Sequence, residues 1–291
     1  MTATATRTGH HDSHDVVLAP FAKEHLEGAL RLSQEMSWPY RLEDWAFALE
    51  LGQGFVLCNG AGTVVGTAAW WACGEDHASA GMIIVAKAAQ GRGHGARLMD
   101  ALLAAAHPRT ITLNSTAEGL ALYERRGFVR TGVIQQHHGV PDQRHPAPPA
   151  SLVRAMAASD AEAVARLDRQ ATGWARRRML DRLMQAGDGY VLVRDGEPRG
   201  YAISRAFGRG HVIGPVVAES AADARALIEA ALAGLGPVFV RVDTSATSQL
   251  GEWLESIGLR QVDDATTMVK GPPTPPAGPA RMFALANQSF N

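Results

Sequence analysis

The feature that most constrains this chain is a strand that enters a helix through glycine. Met82 to Ala86 is apolar at every position, the pattern of a strand covered on both faces. It leads through Gln90-Gly91-Arg92-Gly93-His94-Gly95-Ala96 into Ala96 to Ala106, where Leu98, Leu102 and Ala105 share one side with Met99 and Leu103 beside them. A buried strand followed by an apolar-faced helix requires a sheet with the helix packed on it. The glycine turn between them presents backbone N–H groups where the helix dipole is positive, an arrangement that suits a pyrophosphate. A turn serving only tight packing is the other reading of the same residues. The spacing is not GxGxxG and no Gly-Lys-Ser/Thr ending follows, which argues against the dinucleotide and P-loop classes.

Around this unit the periodicity predicts a strand at Val16 to Phe21, helices at Glu24 to Met36 and Leu42 to Leu51, and strands at Phe55 to Asn59 and Thr63 to Ala72. Asn59-Gly60-Ala61-Gly62 joins the last two as a hairpin. A strand at Thr110 to Leu113, a helix at Glu118 to Arg126 stopped by Gly127, and a strand at Phe128 to Gln135 complete the order β-α-α-β-β-β-α-β-α-β. After a proline-dense stretch the order recurs. Helices are expected at Ser159 to Leu167, Arg176 to Ala186 and Ala222 to Ala233, with strands from Ser151 to Ala155 through Gln261 to Lys270. The predicted organisation is a tail at 1–14, a first domain at 15–140, a linker at 141–150 and a second domain at 151–291, each domain with its own core.

Charge and cysteine content narrow the function classes. The 28 basic and 29 acidic side chains nearly cancel, so nothing draws the chain to nucleic acid or an anionic membrane. No run reaches the roughly 18 apolar residues of a membrane span, and the polar start is unlike a signal sequence. Cys58 and Cys73 are too few for a disulfide framework, so a reducing cytoplasm is expected. His10, His11, Asp12, His14 and Asp15 have ligand chemistry but no rigid frame, and no metal is expected. Arg176, Arg177 and Arg178 read as a solvated helix face.

Gln90-Gly91-Arg92-Gly93-His94-Gly95 matches the Q/R-x-x-G-x-G/A signature of the GNAT acyltransferase superfamily. The flanks GMIIVAKAAQGRGHGARLMDALL and LNSTAEGLALYERRGF resemble that family's fourth strand to third helix and fifth to sixth strand. More weakly, GYAISR, IGPVVAES, VRVDTSA, WLESIGL and the terminal MFALA resemble the C-terminal acetyltransferase-like domain of a two-domain GNAT subfamily. There the glycine turn is replaced by AESAADAR, so this copy is expected to be degenerate, either buttressing the first domain or walling its acceptor pocket.

The resemblance implies an α/β mixed-sheet fold of tandem GNAT-like acyl-CoA N-acyltransferase domains, with acetyl-CoA as cosubstrate and no metal. It implies that Ile84, Val85 and Ala86 pair with the pantetheine arm and that Gln90, Gly91, Arg92, Gly93, His94, Gly95 and Ala96 cradle the pyrophosphate. It places Tyr123 as the acid that protonates the departing thiolate, and Asn114 and Thr116 as polar contacts to cofactor or acceptor. Thr116 stands where many members have asparagine and also suits a helix cap. Glu75, with Asp76 and His77, is the candidate base for an ammonium acceptor, although these residues also suit a hairpin. Trp38, Tyr40, Trp70 and Trp71 either line an acceptor pocket or pack. The expected reaction is acetyl transfer to a primary amine of a small molecule or peptide by direct attack in a ternary complex. A CoA-binding module without turnover is the alternative.

Overall fold

The computed structural model describes residues 16–142 and 152–291. The expected tail at 1–14, the histidine and aspartate cluster from His10 to Asp15, and linker positions 143–150 lie outside the described residues. The first half contains β1 (Val17–Pro20), α1 (Leu26–Glu35), α2 (Leu42–Leu51), β2 (Gln53–Cys58), β3 (Val64–Cys73), β4 (His77–Val85), α3 (His94–Ala106), β5 (Thr110–Ser115), α4 (Leu120–Glu124) and β6 (Val129–Gly139). The second half repeats this order with β7 (Val153–Ala155), α5 (Ala161–Thr172), α6 (Arg177–Ala186), β8 (Gly187–Arg194), β9 (Glu197–Phe207), β10 (Gly210–Ala218), α7 (Ala221–Leu235), β11 (Val240–Ser245), α8 (Gly251–Ser256) and β12 (Arg260–Lys270). It then adds β13 (Arg281–Ala284).

Local chemistry explains the turns. Asn59 Oδ1 accepts from the N–H groups of Ala61 and Thr63, while Gly62 adopts φ +77°, closing the β2–β3 hairpin. The fourth strand begins at His77, five residues before the apolar run predicts, because His77 to Ala80 have small or polar side chains yet pair with β3 on one edge and β5 on the other.

The thirteen strands of the described residues form one sheet, in the order β1-β2-β3-β4-β5-β12-β6-β11-β13-β10-β9-β8-β7. The closing strands are exchanged between the halves. β12 pairs Thr266 through Lys270 with β5, and β6 pairs Ile134 through Gly139 with β11. Each is also antiparallel to the other. Burial follows the same logic. One core lies under α3 (Leu98, Met99, Leu102) and one under α7 (Leu227, Ile228, Ala231). A third is built by both halves, with Trp45, Trp71 and Met82 packed with Leu180, Leu183, Tyr201 and Phe290. The expectation of two separate cores therefore gives way to a core under α7 drawn from the second half, one under α3 that takes in Met268 of β12, and a third built by both halves, which fixes the second half against the face of β4 opposite α3.

Candidate active site

β4 and β5 form a fork. They pair in parallel from His77 with Thr110 to Ala80 with Leu113, after which β4 runs on to Val85 and β5 to Ser115 without pairing to each other. At the fork β4 carries a bulge. Met82 has φ +53°, the register with β3 shifts between Thr67 and Ala69, and the Met82 carbonyl accepts from Thr67 Oγ1 at 2.8 Å. Beyond it, the Ala86 N–H donates to Val65 of β3 at 2.9 Å. Backbone groups alternate along a strand, so Ile84 and Ala86 face β3, while Ile83 and Val85 face the fork.

These backbone directions differ from those the pantetheine contacts expected from sequence require. Ala86 has its N–H committed to β3, and Ile84 is turned to β3 with its side chain 3% exposed. Of the three expected residues, Val85 alone offers backbone to the fork, and its carbonyl already accepts from Gln90 Nε2 at 3.0 Å. Ile83, not singled out in the sequence, joins it. The bulge sets this phase, and the apolar run carries no sign of where a bulge falls.

The glycine turn opens to solvent. Gly91 and Gly93 adopt φ +76° and +79°, and a Cβ built on either would meet nothing within 4 Å. They are required for left-handed backbone, not for packing. Gly93 caps α3 without a side-chain bond, and among the described residues no acceptor takes the N–H groups of Gly93, His94, Gly95 or Ala96. Those donors, at the start of a 13-residue helix, form an anion cradle with the exposed Arg92 beside it. A Cβ built on Gly95 would lie 3.8 Å from Val85 of β4 and 3.5 Å from Leu122 of α4, which places the cradle beside both the fork and the helix that carries Tyr123.

Tyr123 is 7% exposed, lies edge-on to Phe128 at 5.9 Å between ring centroids, and has no hydrogen-bond partner for its hydroxyl among the described residues. Burial raises its pKa above the ordinary phenol value, so the hydroxyl stays protonated at neutral pH. Gly119 makes room for the ring, since a Cβ there would come within 2.8 Å of Tyr123 Cε2.

Three further expectations meet a different geometry. Asn114 donates its side-chain N–H groups to the Gln288 carbonyl and to Asn291 Oδ1, both at 2.8 Å, and accepts from Thr267 Oγ1 at 2.8 Å. Both its donors and one acceptor position go to the chain's last residues and β12. Thr116 is exposed and precedes a 3-10 turn without a side-chain cap bond. Glu75 is exposed in the β3–β4 turn, six residues before the first unpaired residue of the fork, or roughly 20 Å along an extended strand. Its neighbour His77 is buried, stacked on Trp174 at 5.9 Å and bonded to Thr274.

The reading of Arg176 as a solvated residue is also overturned. It is 3% exposed, bidentate to Asp168 at 2.7 Å, and bonded to the backbone oxygen of Asn291. Nothing in the local sequence pattern distinguishes it from the exposed Arg177, because its partner lies on α5 and its third bond reaches 115 residues along the chain.

The second half contains the equivalent fork with different contents. β10 and β11 pair in parallel at His211 with Val240 and Val212 with Arg241, then part. β13 fills the gap, pairing Val216 with Ala284, Val217 with Met282 and Ala218 with Arg281, and reaching β11 at Thr244. The start of α7 is self-capped as well. Ser220 Oγ accepts from the Asp223 N–H at 3.2 Å, and the Asp223 carboxylate, bonded to Arg194 at 2.8 Å, occupies the first turn.

The first half thus combines a fork whose β4 edge is unpaired beyond Ala80 with an uncapped, glycine-bounded helix start. Comparison with known proteins gives the family. Family profiles described as Acetyltransferase (GNAT) domain match residues 34–145 and 164–284. The uncharacterized N-acetyltransferase YitH of Bacillus subtilis (strain 168) is 27% identical over 283 residues, covering 95% of this chain and 99% of YitH. Among solved structures, a proposed acetyltransferase from Pyrococcus horikoshii superposes with a TM-score of 0.76 at 18% identity, covering all of both chains. A GCN5-related N-acetyltransferase from Sphaerobacter thermophilus gives 0.65 at 17% identity over 88% of this chain and 95% of its own. A tandem GNAT protein from the clavulanic acid biosynthesis pathway gives 0.64 at 19% identity over 89% of this chain and all of its own. The chain is an acyltransferase of the GNAT superfamily, built from tandem GNAT acetyltransferase domains.

Proposed function

We propose that the first half binds acetyl-CoA and transfers its acetyl group to a primary amine by direct attack in a ternary complex. The observation that carries this reading is the α3 start, where left-handed glycines with nothing packed on them leave N–H groups without acceptors. Pyrophosphate oxygens would take the N–H groups of residues 93–96, with Arg92 adding charge. An extended pantetheine arm would pair with the fork-facing edges of Ile83 and Val85. The cosubstrate supplies an acetyl thioester.

In that reading the unprotonated amine attacks the thioester carbonyl, the carbon–nitrogen bond forms, and the carbon–sulfur bond breaks as the thiolate leaves. Tyr123 Oη, neutral at physiological pH, donates a proton to the thiolate, and the proton that the acetylated nitrogen loses passes to solvent water, from which the phenol is reprotonated. Glu75 lies too far from the fork along β4 to act directly as base, and we assign it no step. The second half is read as a degenerate duplicate that binds no CoA, with the units at 15–140 and 151–291 joined through 141–150. β13 in its fork and Ser220 with Asp223 at its helix start support this. The free Cys58 and Cys73 suit a reducing cytoplasm. Among the described residues no helix is long and apolar enough to cross a membrane, and no cluster of three metal-ligating side chains occurs.

Calorimetric titration of acetyl-CoA tests the reading. One equivalent per chain, lost in a folded Gly93→Glu, Gly95→Glu variant, is the expected result. Absence of binding to the folded wild type would sink it.

A further inference from the structure

The last residues of the chain are built into the first half's fork. After β13, the Leu285 N–H remains bonded to Asp243 of β11 at 2.8 Å, and the chain then turns back on itself. Asn287 Oδ1 accepts from the N–H groups of Ser289 and Phe290 at 2.8 and 2.9 Å, and the Asn291 N–H returns to the Asn287 carbonyl at 3.2 Å. This hook is anchored from both halves. Phe290 is 1% exposed and edge-on to Trp71 at 4.9 Å, Ser289 Oγ lies 3.3 Å from Tyr40 Oη, and the buried Arg176 holds the Asn291 backbone oxygen.

Its position is the branching point itself. Ser289 packs on Gly81, the first β4 residue past the last β4–β5 pair, where a Cβ would come within 2.7 Å of it. Asn114, the first such residue on β5, bonds Gln288 and Asn291. Phe290 packs in the core shared with α1, α2 and the second half, on the face of the sheet away from α3 and the glycine turn. The hook thus lies where an amine must approach if the thioester enters from the α3 side.

Hydrogen-bond direction then singles out one atom. The Gln288 backbone carbonyl can only accept, which fixes Asn114 Nδ2 as donor and therefore Asn291 Oδ1 as acceptor. Among the described residues Asn291 Nδ2 is left buried, on a residue 6% exposed, without a partner; of the other buried side-chain atoms without one, Gln288 Nε2 lies in the same hook, and Asn291 Nδ2 is the one whose direction this network at the branching point fixes. Buried donors are normally satisfied, and one held unsatisfied by a fixed network asks for a ligand.

We propose that Asn291 is an acceptor-recognition residue. Its Nδ2–H donates to an oxygen close to the reacting nitrogen, so the acceptor class is a primary amine that also bears a carbonyl, carboxylate, hydroxyl or ether oxygen. Asn114 and Arg176 are positioning residues that hold Asn291 at the fork. The proposal rests on the acetyl-transfer reading above.

The test compares two amines of equal length, 2-methoxyethylamine and butylamine, by release of free CoA from acetyl-CoA. The quantity read is the ratio of their kcat/KM values, taken in the wild type and in Asn291→Asp, so that their different basicities cancel. Asn291→Asp keeps Oδ1 for Asn114 and removes the donor. The ratio is expected to fall by about 3- to 10-fold in the variant, the loss of one hydrogen bond. Asn291→Ala should give a fall in the same direction and serves if the aspartate variant fails to fold. A ratio that survives both substitutions, or no turnover of either amine by a wild type that binds acetyl-CoA, overturns the proposal. If acetyl-CoA does not bind at all, the underlying acyltransfer reading fails instead, and calorimetry separates the two failures.

Discussion

The two halves present the same fork and the same strand-to-helix step, yet in one the chain's last residues reach only the branching point, while in the other a strand of the chain fills the gap. At α3 the helix start has glycines at φ +76° and +79° and no side-chain cap. At α7 the corresponding place holds Ser220 and Asp223, which occupy the N–H groups and the positive end of the dipole. In the first fork Ile83 and Val85 keep edge groups toward the gap, and in the second β13 pairs with the equivalent stretch Val216–Ala218. One backbone can therefore carry an unpaired strand edge in one half and a structural joint in the other. The difference is whether the chain supplies its own anion and its own strand.

The comparison can be broken or sharpened by experiments of decreasing expected effect. Arg176→Met leaves Asp168 buried without its charge partner while both side chains are at most 1% exposed, and should cost about 3–5 kcal/mol in denaturant unfolding. A smaller loss would mean that the second half anchors the hook less firmly than its geometry indicates. Gly93→Glu with Gly95→Glu should weaken acetyl-CoA binding by at least about 100-fold in calorimetry, through left-handed strain at Gly93 and a carboxylate in the cradle. Tyr123→Phe should lower kcat by about 100-fold and leave acetyl-CoA affinity within about 2-fold, the signature of an acid acting after binding. Equal losses in both would indicate a packing role. Ser220→Ala should cost about 1 kcal/mol of stability, the loss of a helix cap, without creating a second equivalent of bound CoA, because β13 still fills that fork.

The smallest effect concerns His77. Burial lowers its pKa, so the folded protein favours the neutral ring. The associated stability is present above the ordinary histidine value near 6.5 and is lost as pH falls below it toward the folded value. A decrease of about 1–2 °C in Tm between pH 7 and pH 5.5, reduced in His77→Gln, is expected by scanning calorimetry. An unchanged pH dependence in His77→Gln would remove His77 as its source.

Local backbone chemistry made much of the first half readable in advance. The hairpin at Asn59 to Gly62 and the glycine turn at 90–96 depend on conformations that only a few residue types favour, so residue identity alone marks them. The repeated element order was visible for the same reason, as apolar periodicity is a property of each segment. Which edge of β4 faces the fork was not visible, since it depends on a bulge at Met82 and a bond from Ala86 to Val65. Nor was the job of Asn114, whose partners Gln288 and Asn291 lie 174 and 177 residues away.

The sequence by itself determined the element types, the duplication and the anion-ready helix start, because those follow from side-chain periodicity and the left-handed freedom of glycine over a few consecutive residues. Tertiary structure alone decided the exchange of β6 and β12, the filling of the second fork by β13 and the arrival of the hook at the first. Each of these is a choice among strand edges and buried partners that many segments could satisfy chemically. Only the assembled sheet, which leaves the fork-facing edge of β4 unpaired and brings the hook to it, distinguishes them.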